Sequence, residues 1–330
     1  MKKWFKLAAV ALASTAVLGA CGNSDSNGED SKDSKVAKYT IGATQYVEHP
    51  SLDAAYKGFK DALKDRDIDA KFDFQSAQGD QSNVNTIAKN LVSKKVDLIF
   101  ANSTPSALGA LQATKDIPIV FTSVTDAVDS GLIKSMKEPE ENITGVLDLH
   151  PDAIKKTVEF IGDNFKGATV GLLYNAGEQN SVTQINQVEK AAKGTDLKLA
   201  KRTVSTSAEV QQAAKTLAGK ADVIYVVTDN TVVSALDSVV KVANEQKIPL
   251  VVGEPDSLAK GGFATFGFDF HTIGYRTGEM AADILEGKKK VKDFPVEYPP
   301  EIKLYINKKA VEKQGVKWNK DWDKDATIVE

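Results

Sequence analysis

Two stretches of this chain repeat one another in order. Asp97-Leu-Ile-Phe-Ala-Asn-Ser-Thr is matched by Asp222-Val-Ile-Tyr-Val-Val-Thr-Asp. Each runs into a helical segment holding Ser-Ala-Leu (Ser106–Leu108, Ser234–Leu236), then into Ile-Pro-aliphatic-Val (Ile117–Val120, Ile248–Val251). Upstream, Ala88-Lys89-Asn90-Leu91 answers Ala214-Lys215-Thr216-Leu217. Any two strand–helix units look somewhat alike, but several matched blocks in one order favour two similar lobes. Two such lobes face each other across a cleft, where a ligand sits at the carboxyl ends of the strands.

The strands expected in the first series are Tyr39–Ala43, Lys71–Gln75, Asp97–Ala101, Ile117–Thr122 and Gly145–Leu149. Those of the second are Thr169–Tyr174, Lys198–Thr203, Asp222–Thr228, Pro249–Gly253 and Phe263–Phe268. Helical patterns such as Ser51–Asp65, Ser82–Lys94 and Gln179–Lys193 lie between them. Near-continuous apolar runs such as VDLIFA imply parallel strands buried on both faces, and the alternation implies α/β, doubly wound lobes.

The N-terminus bears on compartment. Lys2, Lys3 and Lys6 precede an apolar run from Leu7 to Ala20, 14 residues and too short for a comfortable membrane span. It ends Leu18-Gly19-Ala20-Cys21, which resembles the lipobox of bacterial lipoproteins, with Cys21 as the lipidated residue. Cys21 is the sole cysteine of the chain. The expectation is a signal peptide over 1–20 and a flexible tether over 21–36, with no apolar residue from Gly22 to Lys35. A lipid would then hold the body at the outer face of the cytoplasmic membrane. Loss of residues 1–20 removes three lysines and no acids, taking the net charge from −3 to −6. Nothing basic argues for nucleic acid. One cysteine and three widely spaced histidines give no metal-ligand spacing, and no cofactor is expected.

Polar residues collect at the expected strand ends. In the first lobe these are Gln45, Tyr46, Glu48 and His49, then Ser103 and Thr104, then Ser123 and Thr125. Hydroxyls and free N–H groups at a helix start suit a carboxylate. The second lobe offers Tyr174, Asn175, Asn180 and Ser181, then Asp229 and Asn230, then Glu254. Glu254 takes the repeat position of Ser123, and Asp229 that of Thr104. Donors in one lobe and acids in the other suit a zwitterion, with Tyr46 or Tyr174 against its side chain. Capping by Asp229 or Asn230 and a core role for the tyrosines are the competing readings. Glu48 and Asp126 stand next in line for the ammonium.

The lipobox together with NSTPSA, IPIVFTSVTDAV, YNAGEQNS, TDNTVVSAL and FGFDFHTIGYRTGEMAADILEGK is similar to substrate-binding lipoproteins of ABC importers, in the family for tryptophan and other aromatic amino acids. The resemblance covers about residues 38–316. It implies a type I periplasmic-binding-protein fold with a three-strand hinge. Lobe 1 would be 37–148 plus about 271–288, and lobe 2 would be 149–270 plus about 289–330. It implies carboxylate contacts at Ser103, Thr104, Ser123 and Thr125, an ammonium contact at Glu254 or Asp229, and a permease and ATPase as partners of a monomer.

No Gly-x-Ser-x-Gly, Gly-x-Gly-x-x-Gly or Walker-type motif argues for an enzyme. A sugar or nucleoside is the alternative ligand, and a sensing or adhesive lipoprotein the alternative role.

Overall fold

The computed structural model describes residues 37–138 and 140–330. The signal segment, Cys21 and the tether lie outside the described residues.

The first sheet is built from β1 (Tyr39–Gln45), α1 (Pro50–Asp65), β2 (Ala70–Ser76), α2 (Gln81–Ser93), β3 (Leu98–Asn102), α3 (Thr104–Ala113), β4 (Ile119–Val124) and β5 (Ile143–Leu147). Its strands are all parallel in the order β2-β1-β3-β4-β5. Ile41, Leu98, Phe100 and Val120 bury one face with Phe59 of α1. Ile99, Ala101, Ile119 and Phe121 bury the other with Val84 and Leu91 of α2. This two-sided burial is what the unbroken apolar runs predict.

The second sheet follows with α4 (Ala153–Asn164), β6 (Thr169–Asn175), α5 (Gln179–Ala192), β7 (Lys198–Val204), α6 (Val210–Ala218), β8 (Val223–Val226), α7 (Asn230–Ser234), α8 (Leu236–Gln246), β9 (Leu250–Val252), α9 (Pro255–Lys260) and β10 (Ala264–Gly267). The order β7-β6-β8-β9-β10 copies that of the first sheet. Two strands beyond the ten expected from sequence extend it. After α10 (Phe270–Leu285) come β11 (Lys303–Asn307), α11 (Lys308–Lys313), α12 (Trp322–Asp325) and β12 (Ala326–Val329). β11 runs antiparallel to β10, so this lobe is not wholly parallel. The chain reaches β11 from α10 on the other lobe rather than through a crossover helix, so right-handed βαβ geometry does not constrain it.

Three segments cross between the lobes: 148–152, 268–269 and 286–302. α10 packs along α1 of the first lobe, and glycines permit the approach. A Cβ on Gly274 would stand 1.8 Å from the Ala55 carbonyl oxygen, and one on Gly58 2.1 Å from that of His271. The third crossing is pinned to β5. The Leu147 N–H donates to the Glu297 carbonyl at 2.9 Å, and the Glu297 N–H donates to the Gly145 carbonyl at 3.0 Å. Arg276 of α10 grips the Glu297 carboxylate with two bonds of 2.9 and 2.8 Å. A two-point guanidinium contact fixes direction as well as distance.

Candidate functional site

The strand ends of both lobes meet around a small cavity with about 10 Å³ of open space. That is about the room one water takes, so any larger solute is held with the lobes further apart. His49, Leu52, Ser123 and Asp148 line it from the first lobe and its hinge; Asn180, Thr228, Asn230, Val233 and Glu254 line it from the second, with Phe270 at the second crossing. Four of these leave a buried polar atom without a partner: His49 Nδ1, Ser123 Oγ, Asp148 Oδ1 and Asn180 Oδ1. Unpartnered buried polar atoms are costly, and here they converge on one space. A wider groove along the hinge flank, walled by Val128, Met136, Leu149, Ile154 and Tyr298, contains none of them.

Backbone strain marks the same strand ends. Ser103, after β3, has φ 111° and ψ 159°, and Ser123, at the end of β4, has φ 57°. Neither is a region that a residue with a Cβ occupies readily, and such strain gathers at functional sites. Ser103 caps α3 by accepting the Ser106 N–H at 3.4 Å. The Thr104 hydroxyl accepts the Thr125 N–H at 3.4 Å. Thr125 in turn accepts from the Gln184 amide of the second lobe at 3.5 Å. These three residues, expected at the carboxylate, do not line the cavity, and Thr125 lines the flank groove. Ser123 is the one of the four that lines the cavity.

Several other residues expected in the site are occupied elsewhere. The Tyr46 hydroxyl donates to the Gly79 carbonyl at 2.9 Å, and its ring packs in the first-lobe core. Tyr174 packs against the core of the second lobe. Neither lines the cavity. Gln45 donates to Asp53 Oδ1 at 2.8 Å and accepts from Asn102 at 2.9 Å, a network that knits β1 to β3 and α1. Glu48 points to solvent. Asn175 donates to the Thr231 hydroxyl at 2.9 Å and accepts the Gly177 N–H at 2.8 Å. Ser181 is wholly buried beside Asp229. Asp229 accepts the Asn175 N–H at 2.6 Å and caps α7 by accepting the Val232 N–H at 2.8 Å. Its carboxylate serves the backbone, so the capping alternative describes it. Asp126 accepts the N–H groups of Val128 and Asp129, both at 2.9 Å, and lies in the flank groove.

Two residues that sequence reasoning left out shape the site. Glu178 is buried and accepts from the backbone and side chains of Asn230 and Thr231, tying the start of α5 to that of α7. That fixes Asn180 and Asn230 on the cavity wall. Asp148 follows β5 directly; its N–H donates to the Val124 carbonyl at 2.9 Å, which aims the side chain inward. A charged residue closing an apolar strand run was the available signal.

The electrostatics are acidic. Glu254 is 2% exposed and accepts the Ser257 hydroxyl at 2.6 Å. Burial pushes its carboxyl above the usual range. Burial, and then Glu254, push Asp148 up to about 7. Burial pushes the His49 imidazole down to about 4, so it stands neutral. No Lys or Arg lines the cavity. Two buried carboxyls with no cation between them leave room for a positive group.

The family model for ABC transporter substrate binding proteins matches residues 40–329. A tyrosine-binding protein of Clostridioides difficile (strain R20291) is 43% identical over 315 residues, covering 93% of this chain and 90% of that protein. An ABC domain from Streptococcus pneumoniae, solved in complex with L-Trp, is 34% identical with a TM-score of 0.83. It covers 88% of this chain and 99% of its own. The ligand-free, open structure of a substrate-binding protein with adhesive properties from Clostridium difficile is 38% identical, with the same coverage, yet its TM-score is 0.64. The more identical protein superposes less well. In the present structure the two lobes touch across the cleft, as at Gln184 and Thr125, 3.5 Å apart.

Proposed function

Since this chain belongs to the family of ABC transporter substrate-binding proteins, we propose that the solute it captures is an L-aromatic amino acid. The fold is that of type I periplasmic-binding proteins. The protein works outside the cytoplasm as the solute-binding part of a transporter and performs no chemistry on its ligand.

The observation that carries the reading is the lining of the enclosed cavity. Glu254 offers a buried carboxylate to the ammonium. Ser123, with the strained loops after β3 and β4 behind it, offers donors to the carboxylate. Leu52, Val233 and Phe270 offer apolar surface to the side chain. The relatives that bind tyrosine and L-Trp support an aromatic one. Closure over the ligand draws on contacts made only when both lobes meet, because a ligand bound equally by both forms shifts neither. Cys21 carries the lipid that keeps the monomer at the outer membrane face, and the closed form presents both lobes to the permease.

A thermal-shift screen tests the ligand class. At a hundred-fold excess over Kd a ligand adds about 2.7 kcal/mol, roughly 4 °C for a chain of this size. The expected hits are L-tyrosine, L-tryptophan or L-phenylalanine. Shifts with ribose, glucose or nucleosides alone would overturn the reading.

A further inference from the structure

We infer that the groove on the hinge flank is a second binding site, one that takes a medium-chain acyl carboxylate. It shares no lining residue with the cavity between the strand ends, so it stands whichever solute the cleft captures.

The groove holds about 660 Å³ of open space, within the roughly 300–1,000 Å³ of small-molecule sites. Its apolar walls come from separate parts of the chain. Val128 and Met136 lie between β4 and β5, Leu149 on the first crossing, Ile154 on α4 and Tyr298 on the third crossing. Three large apolar side chains stand exposed among the described residues, Phe74, Val128 and Tyr298, and two of them are in this groove. Exposed apolar residues scattered singly need no explanation. Two that share one concave space with buried Leu147 and Ile154 form a contiguous apolar surface.

The charges at the rim select the sign of the ligand. Lys155 faces Glu159 at 3.8 Å. The Asp126 carboxylate accepts the N–H groups of Val128 and Asp129. Lys190, in the last turn of α5, has no ion-pair partner among the described residues. One uncompensated cation therefore stands beside an aliphatic wall, which matches an anionic head on an apolar body.

The wall also selects the body. A flat aromatic ligand gains from rings to stack on, and Tyr298 is the one ring lining the groove. A flexible acyl chain can follow a wall of Val, Met, Leu and Ile. The chain's own tether does not supply the occupant, since Gly22–Lys35 has no apolar residue. An acyl chain seated here touches both lobes and two of the three crossings, so its binding and the spacing of the lobes are linked.

The test is calorimetry on the body, Ala37–Glu330, which is one compact unit. Wild type, Val128→Asp and Lys190→Gln are each titrated with hexanoate, octanoate and octanol. Both positions are exposed, so the variants should fold. Octanoate should bind about ten-fold tighter than hexanoate, because two more methylenes leave water. Val128→Asp should weaken octanoate about ten-fold or more, since it sets a carboxylate against the chain. Lys190→Gln should weaken octanoate about three-fold and leave octanol unchanged. Octanoate bound equally by Val128→Asp and wild type would place the acid elsewhere and overturn the inference. Equal losses of octanoate and octanol in Lys190→Gln would overturn the anionic head. Silence to both acids would overturn the site, and if Val128→Asp then abolished self-association of the body, the groove would belong to a second copy.

Discussion

Gln179, the first residue of α5, donates its side-chain amide to the backbone carbonyl of Asp129 in the opposite lobe at 2.7 Å. One turn on, Thr183 donates its hydroxyl to the Asp129 carboxylate. Asp129 and Gln179 are exposed, so the latch touches neither the cavity nor a core. An exposed hydrogen bond contributes about 0.5–1.5 kcal/mol, here to the closed form alone.

Gln179→Ala/Thr183→Val, which removes both bonds, is expected to leave the thermal stability of the lobes unchanged while weakening ligand binding about five-fold or more through faster dissociation. Stopped-flow release of ligand, beside small-angle scattering, measures both. Equal dissociation rates in variant and wild type would show that the latch does not hold the closed form.

Closure should depend on pH with two opposing signs. In the closed structure Asp148 is pushed from an ordinary 3.8 up to about 7, first by burial and then by Glu254. Its contribution to closure is fully present below about pH 3.8 and is lost as pH rises through about 7. Glu254 and Asp256 shift in the same direction. His49 is pushed from 6.5 down to about 4 by burial. Its contribution is present above 6.5 and is lost as pH falls through about 4. In ligand-free His49→Gln, scattering should show compaction as pH falls from 7 to 4. In Asp148→Asn/Glu254→Gln, where His49 acts with less opposition, acid should open the lobes. Identical profiles in the two variants would refute this account.

Ser103 tests the strained loop after β3. Its φ of 111° belongs to glycine, and such strain costs about 1–3 kcal/mol. Its capping bond to the Ser106 N–H is long, at 3.4 Å. Ser103→Gly relieves the strain at an unfolded-state entropy cost of about 0.5–1 kcal/mol and should raise stability by about 1 kcal/mol. Ser103→Ala keeps the strain, loses the cap and should lower stability by about 0.5 kcal/mol. Urea midpoints decide the order, and alanine at or above glycine would contradict it.

The anchor is tested in the producing cell. Cys21→Ala should release the protein to the medium or leave it as an uncleaved precursor, and the soluble body should still bind ligand. A variant processed and retained like the wild type would refute lipidation at Cys21.

Much of the fold was legible because two-sided burial writes itself as unbroken apolar runs. DLIFA and DVIYVV become β3 and β8, and the repeat of blocks becomes a repeat of strand order. β11 and β12 escaped because they are short and lack an unbroken buried apolar run, β12 having no buried residue at all. The site was less legible because side-chain direction at a strand end is set by one residue of register. Tyr46 lies past the expected first strand and Tyr174 is the last residue of the expected sixth, yet both turn into cores. Asp229 and Glu254 both close second-lobe strands, but one carboxylate turns back to cap α7 while the other faces the cavity. Asp148 was counted within the strand expected over Gly145–Leu149. β5 ends one residue before it, at Leu147, and that single step brings its carboxyl to the ligand space.

The most direct test of the central claim is isothermal titration calorimetry of the wild-type body with each of the twenty amino acids, ribose and a nucleoside. The account predicts one-to-one binding of at least one of L-tyrosine, L-tryptophan and L-phenylalanine, with Glu254→Gln weakening it ten-fold or more. Heat with the sugar or nucleoside and none with any aromatic amino acid would contradict it.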